Sequence, residues 1–95
     1  MARRSFSEGG LYDTNYFMYV YIIRSRINPS EVYIGLTKDL KERLKQHNAG
    51  QTPHTAKFKP WIIETAISFT NPEKAEKFER YLKSGSGRAF RKKHF

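Results

Sequence analysis

Residues Tyr16 to Ile23 read Tyr-Phe-Met-Tyr-Val-Tyr-Ile-Ile, an unbroken aromatic and β-branched run of strand length. A strand with one wet face alternates apolar and polar side chains. This one does not, so it reads as a strand buried on both faces. Turn chemistry follows in Arg26-Ile27-Asn28-Pro29-Ser30, and Glu31-Val32-Tyr33-Ile34-Gly35 reads as a second strand. Together they predict an antiparallel hairpin with a loop of about six residues.

Working outward, Asp39-Leu40-Lys41-Glu42 places an N-cap three residues before an acid, the signature of a capping box. The helix it opens runs to His47 or Asn48 and is stopped by Gly50. Residues Gln51 to Pro60 read as a basic loop, and Trp61 to Phe69 as a third strand. Asn71-Pro72-Glu73 opens a second helix that runs to Ser84. Gly85-Ser86-Gly87 breaks it, and a short basic helix follows from Arg88. The fold class is α+β: a small three-stranded antiparallel sheet flanked by helices, in the order β-β-α-β-α-α. Residues 1–15 are polar and glycine-containing and read as a flexible leader, leaving residues 16–95 as one domain.

Composition bounds what such a chain can do. Its 95 residues hold 18 Lys or Arg against 9 Asp or Glu, a net charge of +9, with seven Phe, six Tyr and one Trp. One compact, aromatic core is all this length supports. With no cysteine, disulfides, thiolate metal sites and thiol nucleophiles are excluded. No apolar run approaches the roughly 20 residues that span a bilayer, so no membrane role is expected, and a cytoplasmic setting fits. The charge points to a polyanionic partner, nucleic acid first. Glu79 is the last acid, and beyond it come Arg80, Lys83, Arg88, Arg91, Lys92 and Lys93. With Lys57 and Lys59 of the basic loop, Arg88, Arg91, Lys92 and Lys93 are the candidate phosphate contacts.

Three groups carry candidate chemistry. Glu79 lies inside the apolar stripe of Ala75, Phe78 and Leu82, where a carboxylate needs a cationic or metallic partner. An i, i+4 pair with Lys83 is the plain alternative. Arg43 and His47 flank the buried Leu40 and Leu44 on the first helix, either as a phosphate clamp with a proton carrier or as a satisfied helix edge. Tyr21 and Tyr33 can meet across the hairpin, either in a site or as core residues.

These residues resemble a known pattern. Tyr19-Val20-Tyr21, then Tyr33-Ile34-Gly35, then Arg43 with His47, then Glu79, are similar in order and spacing to the GIY-YIG nuclease domain. The phrases Thr-Lys-Asp-Leu-Lys-Glu-Arg-Leu-Lys-Gln-His-Asn and Phe-Glu-Arg-Tyr-Leu-Lys-Ser-Gly-Ser-Gly-Arg-Ala-Phe carry the likeness further, from about Phe17 to Phe95. The chain looks most like the small stand-alone bacterial members, which are related to the N-terminal module of an excinuclease. The resemblance implies hydrolysis of a nucleic-acid phosphodiester, DNA ahead of RNA, in repair or recombination, with one Mg²⁺ or Mn²⁺ ion. Tyr21 would be the general base, its pKa depressed by Arg43 and by the metal. Tyr33 would position water or phosphate, Arg43 would neutralise charge, His47 would assist proton transfer and Glu79 would hold the metal. Tyr19 stands where the family name has its first glycine. Arg91 stands about where many members carry a phosphate-binding Asn. A non-catalytic nucleic-acid-binding module of the same fold is the alternative reading.

Overall fold

A computed structural model describes residues 17–95. The expected leader, and Tyr16 at the head of the first strand, lie outside the described residues. Three strands form one antiparallel sheet: β1 (Met18–Ser25), β2 (Val32–Thr37) and β3 (Trp61–Phe69), in spatial order β2-β1-β3. The aromatic run is therefore the central strand. That position explains why it lacks polar alternation: its Val20 and Ile22 face one side and its Tyr21 and Ile23 the other, all four buried.

Each face is covered by helices. Val20, Ile22 and Ile34 pack against Ala75 and Leu82 of α3 (Pro72–Lys83), with Phe78 and with Phe90 of α4 (Gly85–His94) closing that core. On the other face Tyr21, Ile23 and Trp61 pack with Leu40 and Leu44 of α1 (Leu40–Asn48), together with Tyr33 and Phe58. The short helix α2 (Pro53–Ala56) lies between α1 and β3.

The helices start where their caps dictate. The Asp39 carboxylate accepts from the Glu42 backbone N–H at 3.0 Å, and the Asn71 side chain accepts from Glu73 and Lys74 at 2.9 and 3.2 Å. Two expectations need correction. The segment from Gln51 to Pro60 is not wholly loop, because α2 makes one turn within it. The last helix begins at Gly85 rather than at Arg88, with the Ser84 hydroxyl accepting from the Gly87 N–H at 3.1 Å. Gly87 is there for contact: a Cβ on it would fall 1.8 Å from the Tyr81 carbonyl oxygen. The chain between α3 and α4 thus folds back so tightly that only glycine fits.

Two anchors hold the segment from 49 to 60 against the sheet. The Asn48 amide brackets Trp61, donating to its carbonyl at 3.1 Å and accepting from its backbone N–H at 2.6 Å. The Trp61 indole N–H donates to the Thr55 carbonyl at 2.9 Å. Strand β3 therefore fixes where α2 sits.

Candidate active site

The site grows from the register of the sheet. Tyr21 pairs with Gly35 on β2 and with Ala66 on β3, so small residues flank it on both sides. Its ring crosses β2 over Gly35: a Cβ there would lie 2.5 Å from the phenol oxygen. The glycine of Tyr33-Ile34-Gly35 is thus required by close approach of a side chain, not by backbone conformation.

The phenol ends in a buried cluster. Its hydroxyl lies 2.9 Å from His47 Nε2, and Arg43 Nε donates to it at 3.3 Å. Arg43 in turn donates from Nη1 to the Gln46 side-chain oxygen at 2.9 Å. His47 is fully buried; its ring sits 5.9 Å from that of Tyr21 and 5.0 Å from that of Tyr33, edge-on to both. Tyr21 and Tyr33 themselves are 6.3 Å apart by ring centroid. They are diagonal rather than directly opposite, because Tyr33 pairs with Ile23. Tyr21, Tyr33, Arg43 and His47 are therefore brought together on one face.

Glu79 comes from the other helical layer. Its side chain is only 13% exposed and forms an ion pair with Lys83, one turn on. Its charge also reaches Tyr21. Glu79 therefore has its helix partner, and its charge is felt at the phenol.

Without a metal, burial decides the state of the phenol. Arg43 beside Tyr21 favours an acidified phenol. Burial instead raises its pKa and outweighs the Arg43 hydrogen bond and charge, which act in the opposite direction. The phenol is thus neutral at ordinary pH. His47 moves the other way: burial, and then the Arg43 charge, lower its pKa to about 4. A histidine in the unfolded chain titrates near 6.5. Between those values the unfolded chain binds a proton that the folded site refuses. This contribution to stability is therefore whole above about 6.5 and is lost as pH falls toward about 4. Denaturant midpoints measured across this range should show that decline, and His47→Gln should flatten it. A profile of unchanged steepness would mean that another group is responsible.

The basic candidates divide between layers. Lys57 and Lys59 are exposed beside α2, on the same side of the sheet as Tyr21. Arg88, Lys92 and Lys93 are exposed on α4, which packs chiefly on α3. Arg91 is half-buried, and its Nε donates to the Leu82 carbonyl at 3.3 Å, an unsatisfied group at the end of α3. Sequence reasoning missed Gln46 and Thr55. Gln46 is an ordinary polar residue on a helix, and Thr55 is one threonine in a stretch read as loop.

Among the described residues, no three His, Asp or Glu come together as a metal cluster. Any cation here would take one protein carboxylate and complete its shell with water and phosphate oxygens. That is a set Mg²⁺ accepts, and the shielded Glu79 carboxylate, held only by a half-exposed lysine, fits it.

The family model of the GIY-YIG catalytic domain matches residues 17–93, and the chain belongs to that family. It is 35% identical over 65 residues to a UPF0213 protein of Vibrio campbellii, covering 67% of this chain and 61% of the relative. It is 41% identical over 70 residues to the structure-specific endonuclease subunit slx1 of Talaromyces marneffei, covering 66% of this chain and 18% of the relative. The corresponding subunit of Scheffersomyces stipitis is 39% identical over 70 residues, covering 66% and 21%. The chain thus spans less than two thirds of each of these relatives. No solved structure matches it closely enough to compare. No helix among the described residues is long and apolar enough to cross a membrane.

Proposed function

We propose that this chain is a metal-dependent endonuclease that hydrolyses phosphodiester bonds, in DNA rather than RNA, and serves repair or recombination in the cytoplasm. The observation that carries the reading is the Tyr21 hydroxyl held between His47 Nε2 and the Arg43 guanidinium. A buried tyrosine with only a packing role needs one partner. Here a proton acceptor and a fixed cation converge on a single oxygen.

We assign the roles on this geometry. Because the phenol is neutral, no standing tyrosinate is available to act as base. Tyr21 instead takes the proton of an attacking water as its own proton passes to His47 Nε2. His47 is neutral above about pH 4, so that nitrogen is open to the proton, which its lowered pKa lets it hold only transiently. Arg43, whose bond to the Tyr21 oxygen favours its charged form, stabilises the added negative charge on phosphorus. Tyr33, edge-on to His47, positions water or phosphate. Glu79 would hold Mg²⁺ or Mn²⁺, which when bound supplies charge neutralisation at the phosphate oxygens. Lys57, Lys59, Arg88, Lys92 and Lys93 supply affinity, with Arg91 securing the α3–α4 junction as well.

The test is direct. Purified protein is incubated with single-stranded, duplex, flap and branched DNA and with RNA, with Mg²⁺, with Mn²⁺ and with chelator. Metal-dependent cutting of DNA, branched forms included, is the expected result. The Glu79–Lys83 ion pair favours the second reading, a binding module whose metal position is filled by a lysine. Binding of every substrate with cleavage of none would establish that reading.

A further inference from the structure

Thr55 lies outside every element that carries the candidate site, yet it is 1% exposed and, among the described residues, is one of three buried polar ones, with Ser25 and His47. Its hydroxyl stands 2.8 Å from His47 Nδ1 and 3.3 Å from the Thr52 carbonyl oxygen. A carbonyl only accepts, so the bond to Thr52 uses the single proton of Thr55. In that arrangement the hydroxyl meets His47 as an acceptor, and the imidazole proton sits on Nδ1. Nε2 is left as a bare lone pair facing the Tyr21 hydroxyl.

We infer that Thr55 is a positioning residue that fixes His47 in its Nδ1–H tautomer, so that Nε2 can accept the Tyr21 proton. The inference rests on the nuclease reading for its consequence, but the tautomer itself is a property of the free protein. Sequence-remote parts cooperate to set it. Trp61 holds the Thr55 carbonyl through its indole, and the turn of α2 brings the Thr52 carbonyl beneath the hydroxyl. With the opposite tautomer, Nε2–H would donate to the phenol oxygen and could take nothing from it. The bond on one ring nitrogen decides the chemistry of the other.

Nitrogen NMR of His47 in the metal-free, substrate-free protein reads the tautomer directly. The expected wild-type spectrum has a protonated nitrogen at Nδ1 and a bare one at Nε2. Thr55→Ser keeps the hydroxyl and should keep both the spectrum and the rate. Thr55→Val keeps the volume, leaves Nδ1 without an acceptor and should move the proton to Nε2. Its kcat should fall roughly tenfold or more, a share of the ~10² or more that proton transfer contributes, with KM little changed. A wild-type His47 protonated at Nε2 overturns the inference, whether or not Thr55→Val folds. So does a folded Thr55→Val with wild-type tautomer or wild-type kcat. If the protein cuts nothing, the spectra still decide the tautomer, and only the nuclease reading fails.

Discussion

Tyr21→Phe is expected to lower the rate of cleavage by at least ~10² while leaving nucleic-acid affinity close to wild type. The substitution removes one oxygen and keeps the ring, which is 2% exposed and packs against His47 and over Gly35. Two groups lose a partner. His47 Nε2 is buried, and leaving it unpaired costs about 1–3 kcal/mol, so the melting temperature should drop modestly. Arg43 keeps its bond to Gln46 and its place on the helix edge, so phosphate binding survives. Single-turnover rates separate the chemical step from binding, and anisotropy titration reports the affinity. A Tyr21→Phe protein with near-normal rates would make Tyr21 a core tyrosine with a satisfied hydroxyl. The same logic restricts Gly35. A methyl there would collide with the phenol and displace it from His47.

How much of this was legible before the structure depends on whether a feature is local. The aromatic run, the hairpin and the third strand follow from composition and turn residues, and β3 occupies the expected span from Trp61 to Phe69. The caps of α1 and α3 are short-range hydrogen bonds and are readable for that reason. Helix α2 is a single turn, below the length at which a 3.6-residue period can register. The first turn of α4 contains Gly85 and Gly87, poor helix formers that local reasoning assigns to a break. What overrides propensity is the approach of α3, which leaves no room for a Cβ at Gly87.

The site divides in the same way. Tyr21, Tyr33, Arg43, His47 and Glu79 were legible as an ordered set of residue types, and four of them meet on the Tyr21 side of the sheet. Thr55 was not, because its role is made by a contact eight residues back with His47 and by an indole on β3. Nor was the sense of the Tyr21 shift. The cations near it can be read from the sequence, but the depth of its burial cannot, and burial is the larger effect.

Glu79→Gln should abolish cleavage, by ~10² or more, because that carboxylate is the proposed protein anchor for a cation. Gln keeps the volume and removes the charge. The structure also refines what it should do to stability. Glu79 is 13% exposed but is paired with Lys83, which is 51% exposed, so its burial is not uncompensated. Losing an i, i+4 pair of this kind costs only a few tenths of a kcal/mol, and the metal-free melting temperature should barely move. The sharper readout is the metal response. A cation that binds the folded protein raises its melting temperature by mass action, so wild type should be stabilised by Mg²⁺ or Mn²⁺ and Glu79→Gln should not. Lys83→Met frees the carboxylate from its competitor and should steepen that response while cleavage persists. These two substitutions move the metal response in opposite directions although each breaks the same ion pair. A purely structural pair would make them behave alike, and a Glu79→Gln protein that cuts at the wild-type rate would remove Glu79 from the chemistry altogether.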